Sequence, residues 1–226
     1  FLIAPENIGA AAFLHNSKEK IKNIVAGYII NCVGVGKEFT YKKSRMGNSL
    51  ADKSAINLLN NSKLKYSIID FYPDGSDERQ FCSPGFNMPI GLIMRKAYNK
   101  FPEYHTSLDN EKLISFQTLA ESIDFYRDIV KTIENNFIPI GKILYGSPQL
   151  SKSKIPLYSN LMNYKNKPKS QETRFILEVI NNAEGKKDLL TICNEKKFRL
   201  IDYIDTINKL LKAGYIKKRN WKKIYF

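Results

Sequence analysis

Apolar and polar positions switch between two periods along the first two thirds of the chain, and that switching predicts a succession of strands and helices. Residues 24–33 (IVAGYIINCV) form a continuous apolar run of the kind a buried strand shows. Shorter runs at 39–43, 66–71 (YSIIDF) and 89–94 (PIGLIM) predict three more strands. Residues 1–4 read as the end of another. Pro5 suits the first turn of a helix in which Ile8, Ala11, Ala12 and His15 share one face. Residues 50–59 predict a second helix. Residues 115–135 carry the clearest helical period, with Leu119, Ile123, Tyr126, Val130 and Ile133 on one face and charged residues on the others. Strands alternating with helices predict an α/β fold: a mixed sheet flanked by helices.

From residue 139 the pattern changes. Pro139, Gly141, Gly146, Pro148, Pro156 and Pro168 stand among Ser, Asn and Lys, which predicts connecting chain. The expected division is an α/β part over 1–146, a connecting segment over 147–170 and a second unit over 171–226. That unit predicts helices at 172–182, 189–195 and 200–211, then two short strands, 216–218 and 223–226, around Asn220. Three helices followed by a hairpin is the winged-helix pattern, a fold that can bind DNA through its third helix.

Composition narrows the function classes. With 226 residues, 43% hydrophobic and 12% aromatic, the chain is long and apolar enough to bury a core. No apolar run approaches the ~20 residues that span a bilayer, so no membrane partner is expected. The opening FLIAP does not read as a signal peptide. The chain begins without Met inside what reads as a strand, and further residues are expected before Phe1 in the natural protein. Three scattered cysteines, Cys32, Cys82 and Cys193, fit a reducing compartment, and a cytoplasmic location is expected.

The net charge of +14 is unevenly spread: residues 151–226 hold 18 Lys and Arg against 7 Asp and Glu, residues 1–150 hold 18 against 15. A basic tail fits nucleic acid or an acidic partner, and equally a set of solvated lysine-rich faces. Asp202, Asp205, Thr206 and Lys209 fall on the exposed stripe of the third predicted helix, and two aspartates there disfavour DNA. The basic wing (Lys217, Lys218, Arg219, Lys222, Lys223) could touch a phosphate backbone. Trp221 and Tyr225 are candidates to anchor the unit on a neighbouring domain or on a second copy in a homo-oligomer.

Candidate chemistry gathers in two polar, turn-rich loops flanking the run at 89–94. Residues 101–110 (FPEYHTSLDN) hold His105, one of two histidines, among carboxylates and hydroxyls. A neutral imidazole is the commonest zinc ligand, and its second nitrogen usually donates to a carboxylate such as Glu103 or Asp109. An isolated loop histidine is more often a surface residue. The other loop, residues 74–85 (DGSDERQFCSPG), changes that weighting.

Asp77-x-x-x-Phe81-x-x-x-Gly85, then an apolar strand, then residues 101–110 resemble the zinc aminopeptidases of the bacterial secreted type, and still more their relatives the glutaminyl cyclases. The whole chain is most similar to a bacterial family known only as aminopeptidase-like, with a winged-helix tail and a frequent association with polysaccharide biosynthesis. The opening FLIAPENIG and residues 77–87 (DERQFCSPGFN) carry that similarity. The resemblance implies a zinc-exopeptidase-like sheet, a zinc cofactor, and hydrolysis of an N-terminal peptide or related amide bond in a small substrate. It places His105 at the last zinc ligand. Glu6 falls where these enzymes carry adjacent glutamates, one a general base and one a metal ligand. A single Glu stands here, so both roles remain open to it. Asp77 matches a catalytic-site acid near the substrate amino group, with Glu103 a second candidate to hold that group. Arg79 and Arg95 are candidates for an acidic substrate group. Where these enzymes carry an aspartate ligand at a strand end, this chain has Asn31 and Cys32, which favours one zinc over two. A small buried hydrophobe is the commoner fate of such a cysteine. The remaining ligands, a His and a bridging Asp, are expected upstream of Phe1. Two other readings stand beside the hydrolase: a catalytically inactive scaffold or binding protein in surface-polysaccharide biosynthesis, and a winged-helix nucleic-acid-binding regulator.

Overall fold

The computed structural model describes residues 1–153, Leu157 and 171–219. The chain divides into two compact units, Phe1–Val130 and Lys131–Phe226.

The first unit is built on a four-stranded mixed sheet. Its strands are β1 (Gly27–Asn31), β2 (Phe39–Lys42), β3 (Tyr66–Ile69) and β4 (Ile90–Met94), in the order β1-β4-β2-β3. β1 and β4 run parallel, β4 and β2 antiparallel, β2 and β3 parallel. All four answer to the apolar runs in the sequence. β2 and β4 occupy the middle and are buried at every position. β1, which reads as a fully buried strand, is only half-buried, because it ends the sheet among the described residues and Ile30 is 45% exposed. Gly91 of β4 leaves room for the Tyr41 ring, whose hydroxyl a Cβ at that position would overlap.

Helix α3 (Leu50–Asn60) starts at a capping box: the Ser49 hydroxyl accepts from the Asp52 amide, and the Asp52 carboxylate accepts from the Ser49 amide. Asp52 is wholly buried and also accepts from the Tyr41 hydroxyl at 2.8 Å and from the Ser44 amide at 2.7 Å. One cap residue thereby ties a helix, a strand and a loop together.

Two helices turn a different face inward from the one their pattern predicts. In α1 (Ile8–Asn16), followed by the short α2 (Lys18–Ile21), Ala10 and Leu14 are buried against Phe81, Cys82, Met88 and Ile90, while Ile8, Ala11, Ala12 and His15 are exposed. Apolar residues stand all round α1, so its pattern selects no face; the Phe81 ring, 6.2 Å from that of Phe13, decides the packing. Residues 1–4, read as a strand end, form no strand. Helix α5 (Phe116–Glu134) buries Thr118, Ser122, Phe125 and Ile129, and leaves Ile123 and Val130 57% and 52% exposed. The reason is polar: the Ser122 hydroxyl donates to the Val33 carbonyl at 3.0 Å, and Thr118 to the Gly36 carbonyl at 3.4 Å. These bonds tie the loop after β1 to the helix, and on the same face the Phe125 ring lies 4.4 Å from that of Phe39. The short α4 (Glu78–Phe81) is held by Glu78, whose Oε1 meets Lys42 Nζ at 2.8 Å in the interior; Lys42 also donates to the Asp74 carbonyl.

The second unit contains α6 (Gln171–Asn181), α7 (Leu189–Lys196), a 3₁₀ turn at Leu200–Tyr203 continuing into α8 (Ile204–Lys212), and a sheet of β5 (Ile138–Gly141) with β6 (Ile216–Arg219). Asp188 caps α7, accepting from the Thr191 amide at 2.7 Å. The three helices and the first of the two predicted strands lie where the pattern predicts. The partner of that strand does not: β6 pairs antiparallel with β5, inside the stretch from 139 that reads as connecting chain. The expected strand at 223–226, with Trp221, Tyr225, Lys222 and Lys223, lies outside the described residues. Thr206, placed by pattern on an exposed stripe, is buried and donates to Glu172 at 2.9 Å. Among the described residues no helix is long and apolar enough to cross a membrane.

Candidate active site

β1 and β4 are parallel neighbours, so the chain leaves both at the same edge of the sheet, where α/β folds build sites. Just past β1, the Cys32 amide donates to the Asn31 side-chain oxygen at 2.7 Å, and the Cys32 carbonyl accepts from the Arg95 amide just past β4 at 3.3 Å. Beyond this edge lies a cavity of about 360 Å³ whose lining includes Glu6, Asn31, Cys32, Tyr104, His105 and Asp109. Residues from the start of the chain, the end of β1 and the loop at 101–110 therefore meet in one space.

Backbone conformation marks the same place. Among the described residues six non-glycines take a left-handed φ, and three of them are here: Asn7 at 60°, Cys32 at 47° and His105 at 59°. Such conformations carry a cost that the surrounding structure must over-determine, and they concentrate at functional sites. The Tyr104 and His105 rings are stacked, centroids 3.9 Å apart. Burial pushes the Tyr104 hydroxyl up, as do Cys32 and the Glu6 carboxylate beside it. Burial likewise pushes the Cys32 thiol up, with the negative charges of Asp109 and Glu6 adding to it. Burial leads both shifts, and the neighbouring negative groups add to it.

The loop at 74–85 docks on the start of the chain. Ser76 Oγ donates to Glu6 Oε1 at 2.9 Å, the Asn7 amide donates to Asp77 Oδ1 at 2.7 Å, and Arg79 Nη2 donates to Asn7 Oδ1 at 2.9 Å. Asp77 and Arg79 thus hold the Glu6–Asn7 turn and are not in the cavity lining. The two stretches that carry the family resemblance, the opening PENIG and the DERQF of 77–81, are docked on each other. Glu103 is not in the lining either; its carbonyl accepts from the Thr106 amide and hydroxyl at 3.1 and 2.8 Å. Arg95 is 1% exposed, donates to Glu121 at 2.9 Å and stacks over the Phe39 ring at 4.2 Å.

Sequence reasoning does not single out Ser76, Tyr104 or the Lys42–Glu78 pair. Tyr104 had a signal, its place beside His105 in an aromatic-rich loop. Glu78 had one too, as the acid next to Asp77, but nothing in the strand around Lys42 marks that lysine as its partner.

Glu6, Cys32, His105 and Asp109 offer the donor types that zinc accepts. Among the described residues, however, no three His, Cys, Asp or Glu converge into a metal-holding group. The types fit zinc, and the set supplied by the described residues is partial.

Residues 1–136 match the family model described as "Domain of unknown function (DUF4910)". A Clostridium acetobutylicum protein described as "Putative polysaccharide biosynthesis protein with aminopeptidase-like domain" is 38% identical over 205 residues, covering 90% of this chain and 46% of that protein. A crystal structure described as a "putative peptidase" from Clostridium acetobutylicum matches with a TM-score of 0.84 at 31% identity, over 96% of this chain and 47% of that one. The chain spans about half the length of these relatives.

Proposed function

The chain belongs to the DUF4910 family, and on that footing we propose that it contributes to the active site of a zinc-dependent, aminopeptidase-like hydrolase acting on an N-terminal peptide or related amide bond. The observation that carries this reading is the meeting of Glu6 and His105, remote in sequence, in one cavity beyond β1. The descriptions of the two relatives, one aminopeptidase-like and one a peptidase, point the same way.

Glu6 has Oε1 engaged by Ser76 Oγ, which leaves Oε2 either to take the proton of an attacking water or to hold the metal. Asp77 and Arg79 keep that carboxylate aimed by holding Asn7, Asp77 at its backbone amide and Arg79 at its side-chain oxygen. His105, stacked on Tyr104, presents an imidazole to the same space. Glu6 and His105 are the residues that would hold zinc, which when bound supplies Lewis-acid polarisation of the scissile carbonyl. An open catalytic zinc site takes three protein ligands, so two donors here call for an assay on the natural-length protein.

The test is zinc content and aminoacyl-amide hydrolysis, measured on that protein purified without chelator, beside His105→Ala. About one zinc per chain, lost together with hydrolysis in the variant, supports the reading. Neither zinc nor hydrolysis in the unaltered protein sinks it. Glu6→Gln separates the two roles of Glu6: hydrolysis lost with zinc kept makes it the proton acceptor, and loss of both makes it a ligand.

A further inference from the structure

Helix α5 carries an apolar stripe that the fold leaves open. Phe116, Leu119, Ile123, Tyr126 and Val130 follow one another at intervals of three, four, three and four residues. That spacing is the a/d repeat by which one helix seats on another. Thr118, Ser122, Phe125 and Ile129 are the buried residues of α5, whereas in the stripe Phe116 is 87% exposed, Ile123 57% and Val130 52%. Beyond the stripe the helix is solvated, with Arg127 paired to Asp124 at 3.3 Å. Leu119 belongs both to the stripe and, with Ile114, to the lining of the cavity. Two further apolar surfaces reach that cavity. β1 ends the sheet among the described residues, and Ile30, next to Asn31 of the lining, is 45% exposed. Ile30 shares a face of the sheet with Tyr28, whose hydroxyl donates to the Ala51 carbonyl of α3. Phe125 seats α5 on Phe39, two residues from the Tyr41 that also bonds α3. The stripe's helix and Ile30 are therefore on one face of the sheet. The third surface is the opening of the chain, where Phe1, Ile3 and Ile8 are exposed on either side of Glu6. An unpaired strand edge beside contiguous apolar side chains marks an interaction surface.

We propose that these three surfaces form one intramolecular interface, covered by the part of the natural-length chain that leads into Phe1, with an apolar-faced helix along the α5 stripe and a strand beside β1. The relatives are about twice as long as this chain, so their length leaves ample chain for such a cover. A segment tethered at Phe1 meets the stripe and the edge at an effective concentration of about millimolar, well above that of a second copy in dilute solution. Because Leu119 serves both the stripe and the lining, the covering segment also forms a further wall of the cavity. The interface goes beyond the hydrolase reading and stands whether or not the cavity hydrolyses an amide.

The test is the rate of maleimide labelling of introduced cysteines in the natural-length protein, with the labelled position read by peptide mass spectrometry. Ile123→Cys stands on the stripe, and Asp124→Cys is its neighbour on the solvated face, where the side chain is 75% exposed. Ile123→Cys is expected to label at least about a hundredfold more slowly than Asp124→Cys, at a rate that dilution leaves unchanged. Equal rates overturn the proposal. Protection that disappears on dilution overturns it too, because the cover is then a second copy. Ile30→Cys is expected to be protected along with Ile123→Cys, and protection of one without the other breaks the single interface. An independent measurement is the urea midpoint of Ile123→Lys in the same protein. A lysine at a solvated position moves the midpoint little, so a midpoint clearly below that of Asp124→Lys supports the interface, and equal midpoints overturn it.

Discussion

Lys42 and Glu78 of the first unit meet at 2.8 Å with side chains 1% and 0% exposed, whereas Lys187 and Glu195 of the second meet at 2.7 Å with side chains 45% and 43% exposed. The first unit has exposed pairs too, Lys22–Glu19 and Arg127–Asp124, so the contrast lies in what it buries. Asp52 and Arg95 are also buried in the first unit, while Lys186–Glu184, Arg199–Asp202 and Lys209–Glu172 all lie at the surface of the second. A buried pair has given up its hydration, so losing one partner strands the other. A surface pair gives up little and gains little. Placement also separates them by purpose. Lys42–Glu78 anchors α4 under the sheet, and residues in and beside α4 hold the Glu6–Asn7 turn. In the second unit the ion pairs among the described residues engage only some of its lysines and arginines.

Breaking the buried pair should have the largest effect. Lys42→Met is expected to cost the first unit about 3–5 kcal/mol in urea unfolding, the more so because Glu78 Oε2 has no hydrogen-bond partner among the described residues. Adding Glu78→Leu should recover most of that loss. A single-variant cost below about 1 kcal/mol would mean that the pair does not hold α4. Next comes Asp52→Ala, expected to cost about 2–3 kcal/mol by stranding the Tyr41 hydroxyl and the Ser44 amide.

Asp77→Ala should cost only about 1 kcal/mol of stability. Its larger signature is expected in turnover, a fall of about tenfold with zinc content unchanged, because the Asn7 amide loses its acceptor and the Glu6 carboxylate loses its aim. Unchanged turnover would remove the clamp role.

Alkaline pH probes the same contrast. Burial raises the hydroxyls of Tyr28, Tyr41 and Tyr126, the last to about 12 from an ordinary 10.0. A folded state that holds a proton more tightly is stabilised below the unfolded value, and that stabilisation disappears as pH rises through the folded one. The urea midpoint of the first unit should therefore hold to about pH 9 and fall progressively above about pH 10. The smallest effect is expected from Lys187→Ala in the second unit, under about 0.5 kcal/mol; a loss of several times that would place this surface pair in the class of the buried one.

The strands were legible from continuous apolar runs, of which PIGLIM is buried at every position of β4 while YSIIDF stays largely exposed in β3. The helix faces were less so. Ile123 and Val130 keep a helical period with Leu119, yet α5 turns Thr118 and Ser122 inward, since loop carbonyls wait there and a hydroxyl can satisfy them. Nothing local to residues 115–135 reports those carbonyls. The site divides in the same way. Glu6 was nameable through the family resemblance alone, and His105 through that resemblance and its polar loop setting. That Asp77 and Arg79 grip Asn7, and that Tyr104 stacks on His105, required the loops to be brought together.

The sequence by itself determined most of the strand and helix segments, though not β5, where acid and imidazole chemistry is concentrated, and that the tail third is rich in lysine and arginine, because these are properties of local composition and period. Only the tertiary structure decided which helix face is buried, which charges go inside, and which conspicuous residues hold the turn while others line the cavity. Those outcomes depend on partners distant along the chain, and burial makes a polar or charged group costly or stabilising according to whether such a partner is present.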